Sequence, residues 1–160
     1  AWPPTLEQPE PLFLILENLQ DPGNLGTMIR TGEGAGITGV IMNSQTVDIF
    51  NPKTIRATMG SIFRVPFVYV PELSPVLTQM HEKGIHTYAA HLKGKEYYDS
   101  FSFREPTAFL IGNEGNGLTK EISDQSGQYL KIPMEGKVES LNASIAAALL
   151  MYEAHRQRKL

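Results

Sequence analysis

Leu12-Phe-Leu-Ile-Leu16-Glu-Asn18-Leu-Gln-Asp21-Pro-Gly-Asn24-Leu-Gly-Thr-Met-Ile-Arg30 sets the architecture of this 160-residue chain. Five consecutive apolar residues, Leu12 to Leu16, stand between Pro11 and the turn-forming Asp21-Pro22-Gly23. A short unbroken apolar run bounded in this way predicts a strand covered on both faces, as parallel sheets require. The turn then opens a helix, which Asn24 is placed to cap and whose apolar side carries Leu25, Met28 and Ile29. Gly32, Gly34, Ala35 and Gly36 end that helix, and residues this small let another backbone approach closely.

The same alternation continues outward. Gly39 to Met42 reads as a second strand, and Pro52, at a first helical turn, starts a short helix through Met59. Phe67 to Val70 is a third strand, followed by a helix from Leu73 to Lys83 that Gly84 stops. Ile85 to Ala90 and Ala108 to Ile111 supply the fourth and fifth strands. A short helix near Thr119 to Asp124 precedes the sixth, Tyr129 to Ile132. From Leu141 onward Ile145, Ala148, Leu149 and Tyr152 recur at helical spacing. This last helix ends in His155-Arg-Gln-Arg-Lys159, whose cations oppose the carbonyl end of its dipole. Strands alternating with helices from end to end give an α/β fold with a mainly parallel six-stranded sheet and helices on both faces.

Composition excludes several classes. With 41% hydrophobic residues, 19% charged residues and a net charge of −3, the chain is long enough for one core and too apolar for disorder. The absence of cysteine removes disulfide scaffolds, thiolate zinc sites and cysteine nucleophiles, and fits a reducing compartment such as the cytoplasm. No apolar run approaches the roughly 20 residues needed to span a bilayer. A slightly acidic chain must hold any nucleic acid through a local basic patch. Arg30, Lys53, Arg56 and Arg64, with Lys93 and Lys95 after the fourth strand, are the candidates for such a rim. Residues 1–11, with Trp2 and four prolines, read as a linker to an upstream domain, leaving residues 12–160 as the folded domain.

Three loops leave strands with unusual chemistry, and ligands of parallel α/β sheets sit at the carboxyl ends of strands. The first, Asn18 to Gly26, puts an amide at a helix N-terminus and Arg30 about a turn and a half later. Helix N-termini attract anions, and a guanidinium grips phosphate in a bidentate way. The second is Gly112-Asn-Glu114-Gly-Asn-Gly117, whose glycines let backbone approach a ligand. It is no P-loop, since Leu118 and Thr119 stand where Lys and Ser or Thr belong. In the third, Ile132-Pro-Met-Glu-Gly-Lys137 leads to Ser140 and Asn142 at the start of the last helix, where both can be simple caps. Gly34-Ala-Gly36-Ile-Thr-Gly39 matches a dinucleotide pattern but ends a helix instead of opening one, which disfavours a nicotinamide oxidoreductase. The four histidines lack ligand spacing, so no metal is expected. No Gly-x-Ser-x-Gly elbow is present.

Taken in order, these loops resemble the motifs of the SpoU (TrmH-type) branch of the SPOUT RNA methyltransferases. Arg56-Ala-Thr-Met-Gly60-Ser-Ile-Phe-Arg64-Val-Pro66 resembles the segment between them, and the likeness runs from about Leu12 to Arg158. The resemblance implies a C-terminal deep trefoil knot, an exception to the general rule against threading, and a homodimer with its active site near the interface. It implies S-adenosylmethionine as cofactor, bound through Gly112, Ile132 and Leu141, with Ala90, Ile111 and Met134 beside them. Arg30 corresponds to the catalytic arginine, and Asn24, Glu114, Ser140 and Asn142 to the polar catalytic positions. Asn113 and Asn116 fall at variable positions. The implied reaction methylates a ribose 2′-hydroxyl of RNA, ribosomal RNA ahead of transfer RNA. A non-catalytic RNA-binding module of the same fold is the alternative.

Overall fold

A computed structural model of the chain describes residues 9–91 and 94–159. Most of the expected linker (residues 1–8), together with Lys93, lies outside them. The elements run β1 (Leu12–Leu16), α1 (Pro22–Ala35), β2 (Gly39–Asn43), α2 (Pro52–Thr58), β3 (Phe67–Val70), α3 (Ser74–Glu82), β4 (His86–Ala90), β5 (Thr107–Ile111), α4 (Lys120–Gln125), β6 (Gln128–Leu130) and α5 (Ala143–Arg158). The six strands form one sheet in the order β3-β2-β1-β5-β4-β6, and every pairing is parallel.

β1 is central because it is apolar at every position. Leu14 lies opposite Val40 on one side and Phe109 on the other, and none of its five residues exceeds 1% exposure. Leu12, Leu14 and Leu16 pack with Met28, Ile29, Ala147 and Leu150 on one face. Phe13 and Ile15 pack with Leu77, Met80 and Ile122 on the other. Each such side chain contributes roughly 1.5–3 kcal/mol of burial. The two clusters place α1 and α5 on one face and α3 and α4 on the opposite face.

One expectation about the helices needs correction. Asp21, not Asn24, caps α1: its carboxylate accepts from the Gly23 amide at 3.4 Å, and Pro22 takes the first helical position. Proline supplies a helical φ and has no N–H to lose there, so the helix starts three residues early. Asn24 falls inside the first turn, 8% exposed. In α5, which forms as the spacing predicts, Ile145, Leu149 and Tyr152 face outward, 51%, 37% and 45% exposed. The buried side is Ala147, Leu150, Met151 and Ala154. Alanine packs as closely as the glycine-bearing face of α1 demands, and it outweighs the larger residues for that place.

α1 is also wedged against α2. A Cβ on Gly26 would stand 2.5 Å from the Thr54 carbonyl oxygen and 2.4 Å from the Ala57 Cβ, so the helices touch backbone to backbone. At the far edge, the chain leaving β6 is bound to the connection that leaves β4. Leu130 O accepts from His91 N at 3.0 Å, Lys131 N donates to Glu96 O at 3.0 Å, and Lys131 O accepts from Tyr98 N at 2.8 Å. These bonds hold the C-terminal segment against the β4–β5 connection; the knot that the resemblance implies is not visible among the described residues.

Candidate active site

Strand order places the site. From the centre, β1, β2 and β3 run outward one way and β5, β4 and β6 the other. The crevice where direction reverses lies at the carboxyl ends of β1 and β5. Two of the three unusual loops meet there.

They meet through Glu114. Its Oε1 accepts from Gln20 N at 3.0 Å and its Oε2 from Asp21 N at 2.7 Å. Asn24 Nδ2 donates to the same Oε2 at 3.4 Å. Burial raises the Glu114 pKa, but these donors together outweigh it and hold the carboxyl below its ordinary value. Asn24 continues the chain by accepting, at its Oδ1, from Asn142 Nδ2 at 3.2 Å. Asn142 caps α5, its Oδ1 accepting from Ser144 N at 2.8 Å and Ile145 N at 3.3 Å. Glu114, Asn24 and Asn142, distant in sequence, thus form one relay from the 112–118 loop through α1 to the start of α5.

Arg30 and Ser140 stay outside this relay. Arg30 is six residues beyond Asn24, about 9 Å along the axis and on a different side of the helix. It is exposed and makes no hydrogen bond or ion pair with any described residue. Ser140 is likewise exposed. Arg30 instead shares a surface with α5, because the two helices lie side by side. Asn24 meets Asn142 at one end, and at the other a Cβ on Gly34 would come within 2.6 Å of the Tyr152 hydroxyl. Away from α1, Ile145, Ala148, Leu149 and Tyr152 line a groove of about 360 Å³ with Tyr98 and Glu153.

The basic rim survives only in part. Lys53, Arg56 and Lys95 are exposed, whereas Arg64 is committed to Glu33, with Nη2 at 3.0 Å from Oε1. Ser61 Oγ donates to the same carboxylate at 2.6 Å.

The residues expected to hold a cofactor come from three adjoining strand ends. Ala90 closes β4, Ile111 and Gly112 close β5, and Ile132 and Met134 follow β6 on a stretch that reaches Leu141 without helix or strand. Ile132, Met134 and Leu141 are half-buried apolar side chains. Asn113 and Gly117 exchange N–H···O bonds of 3.1 and 2.8 Å, turning the loop back on itself. A Cβ on Gly112 would fall 2.2 Å from Leu118 N, so only glycine fits this turn.

Sequence reading missed three asparagines. Asn18, at φ 57°, exchanges hydrogen bonds with Asn43, N to Oδ1 at 2.9 Å and Oδ1 to Nδ2 at 2.8 Å. Its carbonyl accepts from Asn113 Nδ2 at 2.8 Å. A polar residue one or two positions after an apolar run is the only signal that marks them. Among the described residues no cluster of His, Asp and Glu could hold a metal ion, and no helix is long and apolar enough to cross a membrane.

Comparison with known proteins agrees with this layout. A model of the SpoU rRNA Methylase family matches residues 11–152. The 23S rRNA (guanosine(2553)-2′-O)-methyltransferase RlmP of Bacillus subtilis is 37% identical over 139 residues, 87% of this chain and 56% of that protein. The SpoU methyltransferase AviRb of Streptomyces viridochromogenes, solved with AdoMet, superposes with a TM-score of 0.89 at 32% identity, covering 95% of this chain and 59% of that one. A structure described as giving insights into 2-OH methylation of C/U34 on tRNA superposes with a TM-score of 0.85 at 29% identity, covering 95% and 99%. The chain spans between 54% and 60% of the length of the first curated relatives it matches.

Proposed function

The chain belongs to the SpoU rRNA methylase family, and from that premise we propose that it methylates a ribose 2′-hydroxyl of RNA with S-adenosylmethionine, ribosomal RNA being the leading target. The observation that carries this reading is the relay from Glu114 through Asn24 to Asn142, which joins the two glycine- and amide-rich loops at the sheet's crevice. Cytoplasmic action on RNA follows from the same reading.

The residues present fit the cofactor. Ile132, Met134 and Leu141 offer half-buried apolar surface for a purine, on a segment whose main chain is outside helix and strand. The Gly112 turn presents backbone where no side chain can intrude. When bound, S-adenosylmethionine supplies a methyl group already activated by its sulfonium. The protein's task is alignment, which is worth roughly 7–11 kcal/mol of a barrier, and disposal of the hydroxyl proton. A guanidinium is protonated at any pH an enzyme works at, so Arg30 donates and does not act as base. Free of partners among the described residues, it is available to hold a phosphate beside the target sugar and to stabilise charge developing on the oxygen. A phosphate oxygen or water then takes the proton. Asn24, fixed from both sides by Glu114 and Asn142, keeps the start of α1 in register with the cofactor loop.

The exposed stripe of Ile145, Leu149 and Tyr152 supports a homodimer built on α5. Leu149→Glu should shift the protein from dimer to monomer in sedimentation velocity; an unchanged monomer in both would contradict the dimer. Transfer RNA is the second target class, favoured by the tRNA-methylation structure matched over 99% of its length. Labelled methyl donor with ribosomal and transfer RNA, followed by nucleoside mapping, tests the reading. Label on a ribose 2′-oxygen is expected; label on a base, or binding without transfer, overturns it.

A further inference from the structure

Glu17 is a buried carboxylate, 5% exposed, that makes no ion pair with any described residue. Its Oε1 accepts from Thr119 N at 2.7 Å and its Oε2 from Thr119 Oγ1 at 2.8 Å. Its own N–H donates to Ile111 O at 3.0 Å. Ile111 is the residue before the 112–118 loop and Thr119 the residue after it, so this one glutamate grips both ends. Thr119 in turn caps α4, its Oγ1 accepting from Ile122 N at 3.3 Å. Glu114, within the loop, does the converse and grips Gln20 and Asp21. Each loop therefore supplies one carboxylate that satisfies the backbone of the other.

A carboxylate is expensive to bury unless donors surround it, and simple closure of the core would be better served by an apolar residue at the end of β1. We propose that Glu17 is a positioning residue for cofactor binding: it sets the spacing of the ends of the 112–118 loop and thereby the shape that the loop presents to S-adenosylmethionine. The inference rests on the reading that this loop contacts S-adenosylmethionine.

The test compares wild type, Glu17→Ala, Glu17→Gln, Thr119→Val and the double variant Glu17→Ala/Thr119→Val, at a temperature where circular dichroism shows each folded. Calorimetry gives Kd for S-adenosylmethionine, and kinetics give KM for RNA. Glu17→Ala leaves the half-buried Thr119 amide without its acceptor, and Kd should rise about tenfold or more with KM for RNA within about twofold. Glu17→Gln keeps one acceptor oxygen for Thr119 N and should restore most of the affinity. Thr119→Val removes only the hydroxyl bond and should weaken binding about threefold, and the double variant should be no worse than Glu17→Ala. A lowered Tm with wild-type Kd in folded Glu17→Ala would make Glu17 structural only and overturn the proposal. Should Glu17→Ala fail to fold, an unchanged Kd in Thr119→Val overturns it. Wild type that binds S-adenosylmethionine but methylates no RNA sinks the proposed reaction and leaves this comparison standing; wild type that does not bind overturns both.

Discussion

The loops after β1 and β5 differ from the segment after β6 in how their polar groups are met. Residues 17–24 and 111–119 satisfy one another through Glu114, Asn113, Asn24 and Glu17. Residues 131–141 run without helix or strand and leave Ile132, Met134 and Leu141 half-exposed. A network satisfied from within can hold geometry but has little left to offer a ligand. Apolar side chains left half in water, and a guanidinium with no partner among the described residues, gain from something that arrives later. The molecule thus separates a rigid clasp that positions from surfaces that receive.

The division is broken most sharply at Arg30, on the receiving side. Arg30→Ala should lower methyl transfer by a factor of about 100 or more while thermal unfolding stays put, because no described residue depends on this side chain. Arg30→Lys with near-normal turnover would remove the bidentate role. Asn142 sits at the junction of the two regions. Losing its cap should cost about 1 kcal/mol, a fall in Tm of about 2–4 °C for a domain of this size. Transfer should fall with it, since Asn24 loses its partner; a cap loss with unaltered turnover would detach the junction from the chemistry.

The smallest effect belongs to the clasp itself. Burial raises the Glu114 pKa, but amide donors from Gln20, Asp21 and Asn24 leave it below the ordinary 4.5. A carboxyl whose folded pKa is depressed contributes stability that is complete above its unfolded pKa and is lost as pH falls through the folded one. Glu114→Gln should therefore destabilise at neutral pH and flatten the acid side of the stability curve, with the difference vanishing below the depressed pKa. The exposure of Glu114 keeps this effect modest. A difference that grows as pH falls would have the wrong sign.

What was legible in the sequence was the apolar grammar. Leu12 to Leu16 announced a doubly covered strand because nothing polar interrupts it, and Gly36 ended α1 as expected, at φ 80°. Glu114, Asn24 and Asn142 were identified through resemblance, and the fold brings them together. Glu17 and Thr119, or Asn18 and Asn43, meet only because parallel strands bring their carboxyl ends side by side. Contacts between single polar residues far apart in the chain leave no period to read. In α5 the helix was legible but its buried side was not: large residues fall on both sides, and Ala147, Leu150, Met151 and Ala154 are the ones that face inward.

Amide hydrogen exchange with and without S-adenosylmethionine tests the division most directly. New protection should appear across residues 131–142 and at Gly112, while residues 17–24, already bonded, change little. Protection gained mainly in residues 17–24, with 131–142 unaffected, would contradict the account.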